Sequence, residues 1–173
     1  NKFNIELRMS KTINIQFHRL SQVTKSEIMV LMNNPSVKRQ MPLLKGDFNE
    51  DVCNRFIQAK EELWNTYGFG PWAIFINENF SGWGGLQPEN GEADLALVLH
   101  PNYWGFGKLI YEKIMAKAFG EMELESVTVL FPPSRKRIKG LLKLGFERDN
   151  ELLIDNERFI RFRLMKTKFL ESI

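Results

Sequence analysis

A length of 173 residues suits one compact domain with its own core, and 43% apolar with 26% charged residues is the balance of an ordinary globular protein, not a disordered or fibrous one. No window approaches about eighteen apolar residues, which excludes a membrane-spanning helix, and no secretory leader is expected from the polar first residues. One cysteine, Cys53, excludes an internal disulfide and fits a reducing, cytoplasmic setting, and the widely separated His18 and His100 give no metal-ligand cluster, so no metal is expected.

In chain order, Ile13, Ile15 and Phe17 alternate with polar residues and predict a first strand. Thr24 with Glu27 has the capping-box pattern and opens a helix ending before Asn33, Asn34 and Pro35. Asn49 caps a second helix, with Val52, Phe56, Ala59, Leu63 and Tyr67 as its apolar face and Cys53 a packed thiol. The period then changes. Trp72–Ile76 and Gly82–Leu86 flank the turn residues Asn77–Ser81 and predict a hairpin, and the nearly continuous apolar run Ala93–Leu99 predicts a strand covered on both faces. Ile110, Ile114 and Ala118 restore helical spacing, with Gly120 as the stop. Val127–Phe131 is a buried strand, and Ser134 reads as the N-cap of a helix through Leu144, stopped by Gly145. A last hairpin turns at Asp155 and Asn156, with Ile160, Phe162 and Leu164 facing in and Arg161 and Arg163 facing out. This order gives one mixed α/β domain, a sheet with helices on both faces.

The net charge of +3 is unevenly placed, because Arg135, Lys136, Arg137, Lys139 and Lys143 cluster. That pattern suits either a polyanionic ligand or a solvated helix face. It does not suit a nucleic-acid platform, since aromatics do not interleave with these cations. No nucleic-acid or membrane partner is expected.

The chemistry centres on Gly105-Phe106-Gly107. Two glycines alone are a weak signal, but here an apolar strand leads in and an amphipathic helix leads out. Such a turn leaves backbone N–H groups at the positive end of a helix, an anion site suited to a pyrophosphate. A dinucleotide fold would need GxGxxG after the first strand and a later acidic residue, and neither is present.

The stretch HPNYWGFGKLIYEKIMAKAF, residues 100 to 119, resembles the acetyl-CoA motif of the GNAT superfamily, usually written Q/R-x-x-G-x-G/A. It is closest to the variant P-x-Y-W/R-G-x-G of the ribosomal-protein N-acetyltransferase-like subfamily. GFGPWAIF at 68 to 75, SGWGGLQ at 81 to 87 and RIKGLLKLGFERD at 137 to 149 resemble further segments of that subfamily in the right order. The resemblance spans about residues 12 to 166 of a single domain over 1 to 173, and implies a central mixed sheet of about seven strands. It implies acetyl-CoA as co-substrate and no metal. The backbone of Val98 and Leu99 would pair with the pantetheine arm, and the N–H groups of Trp104, Gly105, Phe106, Gly107, Lys108 and Leu109 would hold the pyrophosphate. Ser134 stands where the family often has Asn, as a helix cap or a contact to pantetheine or sulfur. Arg137 and its basic neighbours would meet the 3′-phosphate or adenine.

Two departures bear on turnover. Asn102 replaces the usual Gln or Arg, and Leu141 replaces the Tyr that serves many GNAT enzymes as general acid. Thiols have a pKa of about 8.5, so water or Ser134 could protonate the leaving group. The base must come from elsewhere: Asp94, which aligns with an acidic position of the subfamily, and Glu92 are the candidates, each equally readable as an edge carboxylate. His100 reads as structural, and Trp72, Trp83 and Trp104 as core or cleft-wall aromatics. Acceptor recognition would fall to the early helices and the loop from Val37 to Phe48, with Met41, Pro42 and Lys45. The resulting expectation is an N-acetyltransferase acting in a ternary complex on a protein N-terminus or a small amine, as a monomer or homodimer. The alternative is a catalytically weak acyl-CoA-binding regulatory module.

Overall fold

In the computed structural model, which describes residues 13–41 and 43–173, the strands are β1 (Ile15–His18), β2 (Pro71–Ile76), β3 (Asn79–Glu89), β4 (Glu92–Leu99), β5 (Ser126–Phe131), β6 (Glu147–Ile154) and β7 (Glu157–Met165). Pro42 of the expected acceptor loop lies outside the described residues. The strands form one seven-stranded sheet in the order β1-β2-β3-β4-β5-β7-β6. All neighbours are antiparallel except β4 and β5, which run parallel and share one registered pair, Asp94 opposite Thr128. By contrast, β3 and β4 pair continuously from Gly82 opposite Leu99 to Glu89 opposite Glu92.

Local turn chemistry sets the hairpins. Asn77 and Glu78 both have positive φ (48° and 69°), as do Asp155 and Asn156 (50° and 63°), so each hairpin closes through two left-handed residues whose twist matches the strands. The first turn is thus tighter than the expected Asn77–Ser81, because Asn79 to Ser81 already belong to β3.

The helices depart further from expectation. Helix α1 (Lys25–Asn33) starts after Thr24, but the Thr24 hydroxyl donates to Glu27 Oε2 (2.9 Å) instead of capping the backbone. A short α2 (Pro35–Lys38) follows at once, capped by Asn34 Oδ1, which accepts from Ser36 N–H (2.9 Å) and Val37 N–H (3.4 Å). Helix α3 (Glu50–Tyr67) is capped by Asn49 as expected, its Oδ1 accepting from Val52 N–H (2.9 Å). Its inner stripe is Cys53, Phe56, Ile57, Lys60 and Trp64, while the expected Ala59 and Tyr67 are exposed. A 3₁₀ helix over Pro101–Phe106 leads into α4 (Gly107–Ala116), which widens into a π turn over Lys117–Glu121. Gly120 is therefore no stop. The chain reverses at Glu123 (φ 52°), and Leu124 N–H closes on Ala118 O (3.0 Å). Helix α5 is only Lys139–Lys143, with the left-handed Gly145 (φ 99°) after it, and α6 (Lys166–Glu171) follows β7.

Two apolar clusters sandwich the sheet. Ile110, Tyr111, Ile114 and Met115 of α4 pack with Leu95, Leu97 and Leu99 of β4, Val127 and Val129 of β5, and Ile160, Phe162 and Leu164 of β7. On the other face Ile28, Leu31 and Met32 of α1 and Cys53, Phe56 and Ile57 of α3 pack with Ala96 and Val98 of β4. Strand alternation puts Asp94, Thr128, Arg161 and Arg163 on this second face. The outward assignment of the two arginines needs correction: Arg161 is 7% exposed and Arg163 half-buried, because this face of β7 is covered.

Small residues on β3 keep β4 in place. An added methyl at Gly82 would overlap the Val98 carbonyl oxygen and stand 2.9 Å from Leu99 Cα, whereas one at Gly105 would meet nothing within 4 Å. Gly82→Ala is expected to lower stability by about 1–3 kcal/mol in urea unfolding. Gly105→Ala, measured alongside, should change it by no more than about 0.5 kcal/mol.

Candidate active site

The site begins where β4 and β5 part. His100 N–H donates to Ser81 O (2.9 Å), which makes that pair hydrogen-bonded and, by alternation, turns the polar groups of Val98 toward β3. Those of Leu97 and Leu99 turn the other way, toward β5. Beyond Asp94–Thr128 no registered partner meets them, so the backbone there is open to an extended ligand. The Leu99 carbonyl accepts from Trp104 Nε1–H (2.8 Å), which fixes the indole over the end of β4 while leaving its ring 46% exposed.

The glycine turn lies immediately beyond. His100 Nδ1 accepts from Asn102 N–H (3.2 Å) and caps the 3₁₀ helix, a structural role as expected. Gly107 N–H donates to Trp104 O, so that one of the expected free donors is used within the turn. Neither Gly105 nor Gly107 has positive φ, and neither would bring a Cβ against the chain. Nothing inside the protein therefore requires glycine at these positions, which keep the space above the backbone clear. Phe106 gives α4 no side-chain cap, no acidic residue stands in its first turn, and Lys108 is exposed there. A positive helix end without a cap or a carboxylate, beside a lysine, has the charge to receive a phosphate. Phe106, Gly107 and Leu109 are half-buried around it.

The two carboxylates of β4 have different surroundings. Glu92 accepts a bidentate pair from Arg163 (NH2 to Oε1 2.7 Å, NH1 to Oε2 2.9 Å). Arg163 also holds Asp149 (2.9 and 3.1 Å) and Ser126 Oγ (2.7 Å), stitching β4, β5, β6 and β7 together. Hydrogen bonds from Arg163 hold the Glu92 carboxyl below its usual range. Glu92 is thus an engaged structural anion with its oxygens occupied, which makes it a poor base. Asp94 has one hydrogen bond, from the Thr128 hydroxyl to Oδ1 (3.0 Å). Burial pushes its carboxyl up to about 7, against the lowering effect of that bond, with Glu89 adding and Arg161 subtracting. A carboxyl of that pKa exchanges protons at neutral pH.

Ser134 lies in an exposed turn, where Arg135 N–H donates to Pro132 O (3.0 Å), five residues before α5, so its expected place as a helix cap needs correction. Arg137 is exposed in the same segment, and among the described residues none of Arg135, Lys136, Arg137 and Lys139 forms an ion pair. Arg135 lies over the Phe131 ring at 3.9 Å. The acceptor-side loop is tied at its base, where Asn33 exchanges two hydrogen bonds with the Phe48 backbone (2.8 and 2.9 Å). A cleft of about 220 Å³ between α1 and the start of β3 is lined by Glu27, Phe80 and His100, at the carboxyl end of β4 and away from Asp94.

Thr128 and Lys60 beside Asp94 escaped the sequence reading, and Arg161 was placed facing outward. Thr128 interrupts an apolar strand, a signal that was readable. Lys60 donates to Gln87, the cross-strand partner of Asp94, and lies 4.9 Å over the Trp83 ring; burial lowers its ammonium to about 8.

A family model described as an acetyltransferase (GNAT) domain matches residues 19–147. No curated protein matches the chain significantly. Among solved structures, the chain is similar to an acetyltransferase from Agrobacterium tumefaciens (16% identity, TM-score 0.68, 87% of this chain and 90% of that one). It is also similar to a GNAT-family acetyltransferase from Bacillus anthracis (15%, 0.66, 90% and 95%). A third neighbour is a variant of the spermidine N-acetyltransferase of Vibrio cholerae (14%, 0.66, 94% and 99%). At these identities the likeness concerns the fold.

Raising the Asp94 pKa from 3.8 to about 7 means that the folded chain holds this proton more tightly than the unfolded one. Its contribution to stability is therefore present at low pH and is lost as pH rises from about 4 to about 7. Asp94→Asn, which cannot ionise, should gain stability relative to the parent across that window and hold the gain at pH 8, as read by urea unfolding at stepped pH.

Proposed function

The chain belongs to the GNAT acetyltransferase family, and we propose that it transfers the acetyl group of acetyl-CoA to a primary amine, with Asp94 as the base. The observation that carries this reading is a half-buried carboxyl, raised toward neutral pKa by desolvation, at the last registered pair before β4 and β5 separate. The family generally uses acetyl-CoA, and the residues around the separation fit it. The open backbone groups of Leu97 and the N–H of Leu99, whose carbonyl already accepts from Trp104, suit the amides of the pantetheine arm. The clear space over Gly105 and Gly107, with Lys108 at the helix start, suits the pyrophosphate. The unpaired Arg135, Lys136, Arg137 and Lys139 suit the 3′-phosphate.

The thioester supplies an acyl carbon already activated toward amines. The protein's part is to dehydrate and deprotonate the attacking nitrogen. An alkylammonium entering from the α1 and α3 side gives one proton to Asp94, the neutral amine forms the C–N bond, and the C–S bond breaks as the second N–H proton passes through water to the departing thiolate. The leaving thiolate is a weak enough base to take its proton from water, which accommodates Leu141 in place of Tyr. Thr128 holds one Asp94 oxygen and leaves the other to accept the proton.

The acceptor is a protein N-terminal amine or a small amine, and the Pro101–Gly107 motif supports kinship with the ribosomal-protein N-acetyltransferase-like subfamily. No helix among the described residues is long and apolar enough to cross a membrane. The buried free thiol of Cys53 supports a cytoplasmic setting.

Release of free CoA across an amine panel tests the reading. Acetyl-CoA should raise the melting temperature, and Gly105→Glu should abolish that protection. Asp94→Asn should keep the protection while kcat falls by about 10²–10⁴-fold. The parent's kcat should rise with pH through an inflection near 7 that the variant lacks. Binding without CoA release from any amine would instead identify an acyl-CoA-binding module.

A further inference from the structure

Arg161 is the residue that the transfer mechanism leaves unused. It lies on β7 opposite Leu130 of β5, on the face that carries Thr128 and Asp94. It is 7% exposed, and among the described residues no hydrogen bond or ion pair engages it; its Nε is buried without a partner. Arg163, two residues along the same face, saturates its guanidinium with Glu92, Asp149 and Ser126. An isolated buried cation is costly unless an anion meets it.

Position narrows what that anion is. Since β5 runs parallel to β4, the step from Thr128 to Leu130 leads from Asp94 toward the separating ends of the strands. Arg161 therefore stands one register step beyond the base, across β5 from the opening and on the same face as Asp94. The glycine turn and α4 belong to the opposite face of the sheet, so a ligand at Arg161 stands across the sheet from the phosphate site. Its charge reaches Asp94 and Glu92, lowering both pKa values. On the other flank of Asp94, Lys60 is a second partly buried cation.

We propose that Arg161 binds a carboxylate on the acceptor, so that the amine substrate is an amino acid or similar short zwitterion and not a polycation. This rests on the acetyl-transfer reading. One end of such a molecule is met by Arg161 through a planar bidentate contact, and the other by Asp94, which takes the ammonium proton. A polyamine would bring a second positive charge against Arg161 and Lys60.

The test compares glycine, β-alanine and γ-aminobutyrate with their amides and with spermidine. Binding to the full chain saturated with CoA is measured by calorimetry, and CoA release from acetyl-CoA is measured in parallel. At least one acid should bind tenfold or more tightly than its amide. Arg161→Gln should erase that difference by weakening the acid alone, and Arg161→Lys should keep part of it. Because Arg161 has no partner among the described residues to orphan, Arg161→Gln should melt no lower than the parent and retain acetyl-CoA protection. Equal binding of acids and amides, preference for spermidine, or a variant that loses melting temperature and acetyl-CoA binding together would overturn the proposal. Arg161-dependent binding of an acid without CoA release would sustain it while removing acetyl transfer.

Discussion

The one parallel contact in the sheet, Asp94 opposite Thr128, is the constraint on which the rest depends. Antiparallel neighbours hold β4 on one side along its length, while on the other side it touches β5 and then leaves it. Up to that pair the sheet is closed, reinforced by Arg163 reaching from β7 to Glu92. Beyond it the backbone of β4 has lost that partner while Leu95 to Val98 stay half-buried. Unmet backbone groups in such a place are expensive, and a ligand that offers amides resolves the cost. Asp94, the proposed base, thus sits at the hinge between a part of the sheet that is complete and a part where β4 and β5 have separated.

Two acids on the same strand and face are separated by their environments. Glu92 has a bidentate arginine and stays charged. Asp94 has one neutral hydroxyl and is partly desolvated, which raises it toward neutrality. Composition would treat the two as equivalent. A displacement of two residues along β4, from the Arg163 clamp to the Thr128 contact, makes one a strut and leaves the other a carboxyl that titrates near neutral pH.

Much of this was legible because it is governed by nearby residues. The hairpins at Asn77 and Asp155, the Asn49 cap and the strand–glycine–helix passage around Gly105 depend on local chemistry, and they appear as expected. What failed depends on distant partners. The α3 stripe was misread because Lys60 interrupts it, and only the Trp83 ring and Gln87 make a lysine acceptable there. The helix expected from Ser134 does not start until Lys139, since Arg135, Lys136 and Arg137 would crowd like charge onto its positive end. Arg161 looked solvent-facing because alternation gives the face but not what covers it. The family resemblance pointed to the donor loop and to Asp94, whereas the distinction between Asp94 and Glu92 needed the partners across the sheet.

The glycines of β3 have an effect on a neighbouring strand. Missing side chains at Gly82 and Gly84 leave hollows that the Leu99 and Leu97 side chains occupy, to within 2.9 Å of where a Cβ would be. Both leucines lean toward β3 and away from the side on which β4 is unpaired. The side-chain outline of β4 beyond Asp94 is thereby governed from the strand behind it, by positions that carry no side chain. In a comparison of relatives, changes at positions 82 and 84 should travel with changes at 97 and 99, in a strand that would otherwise be read as scaffold.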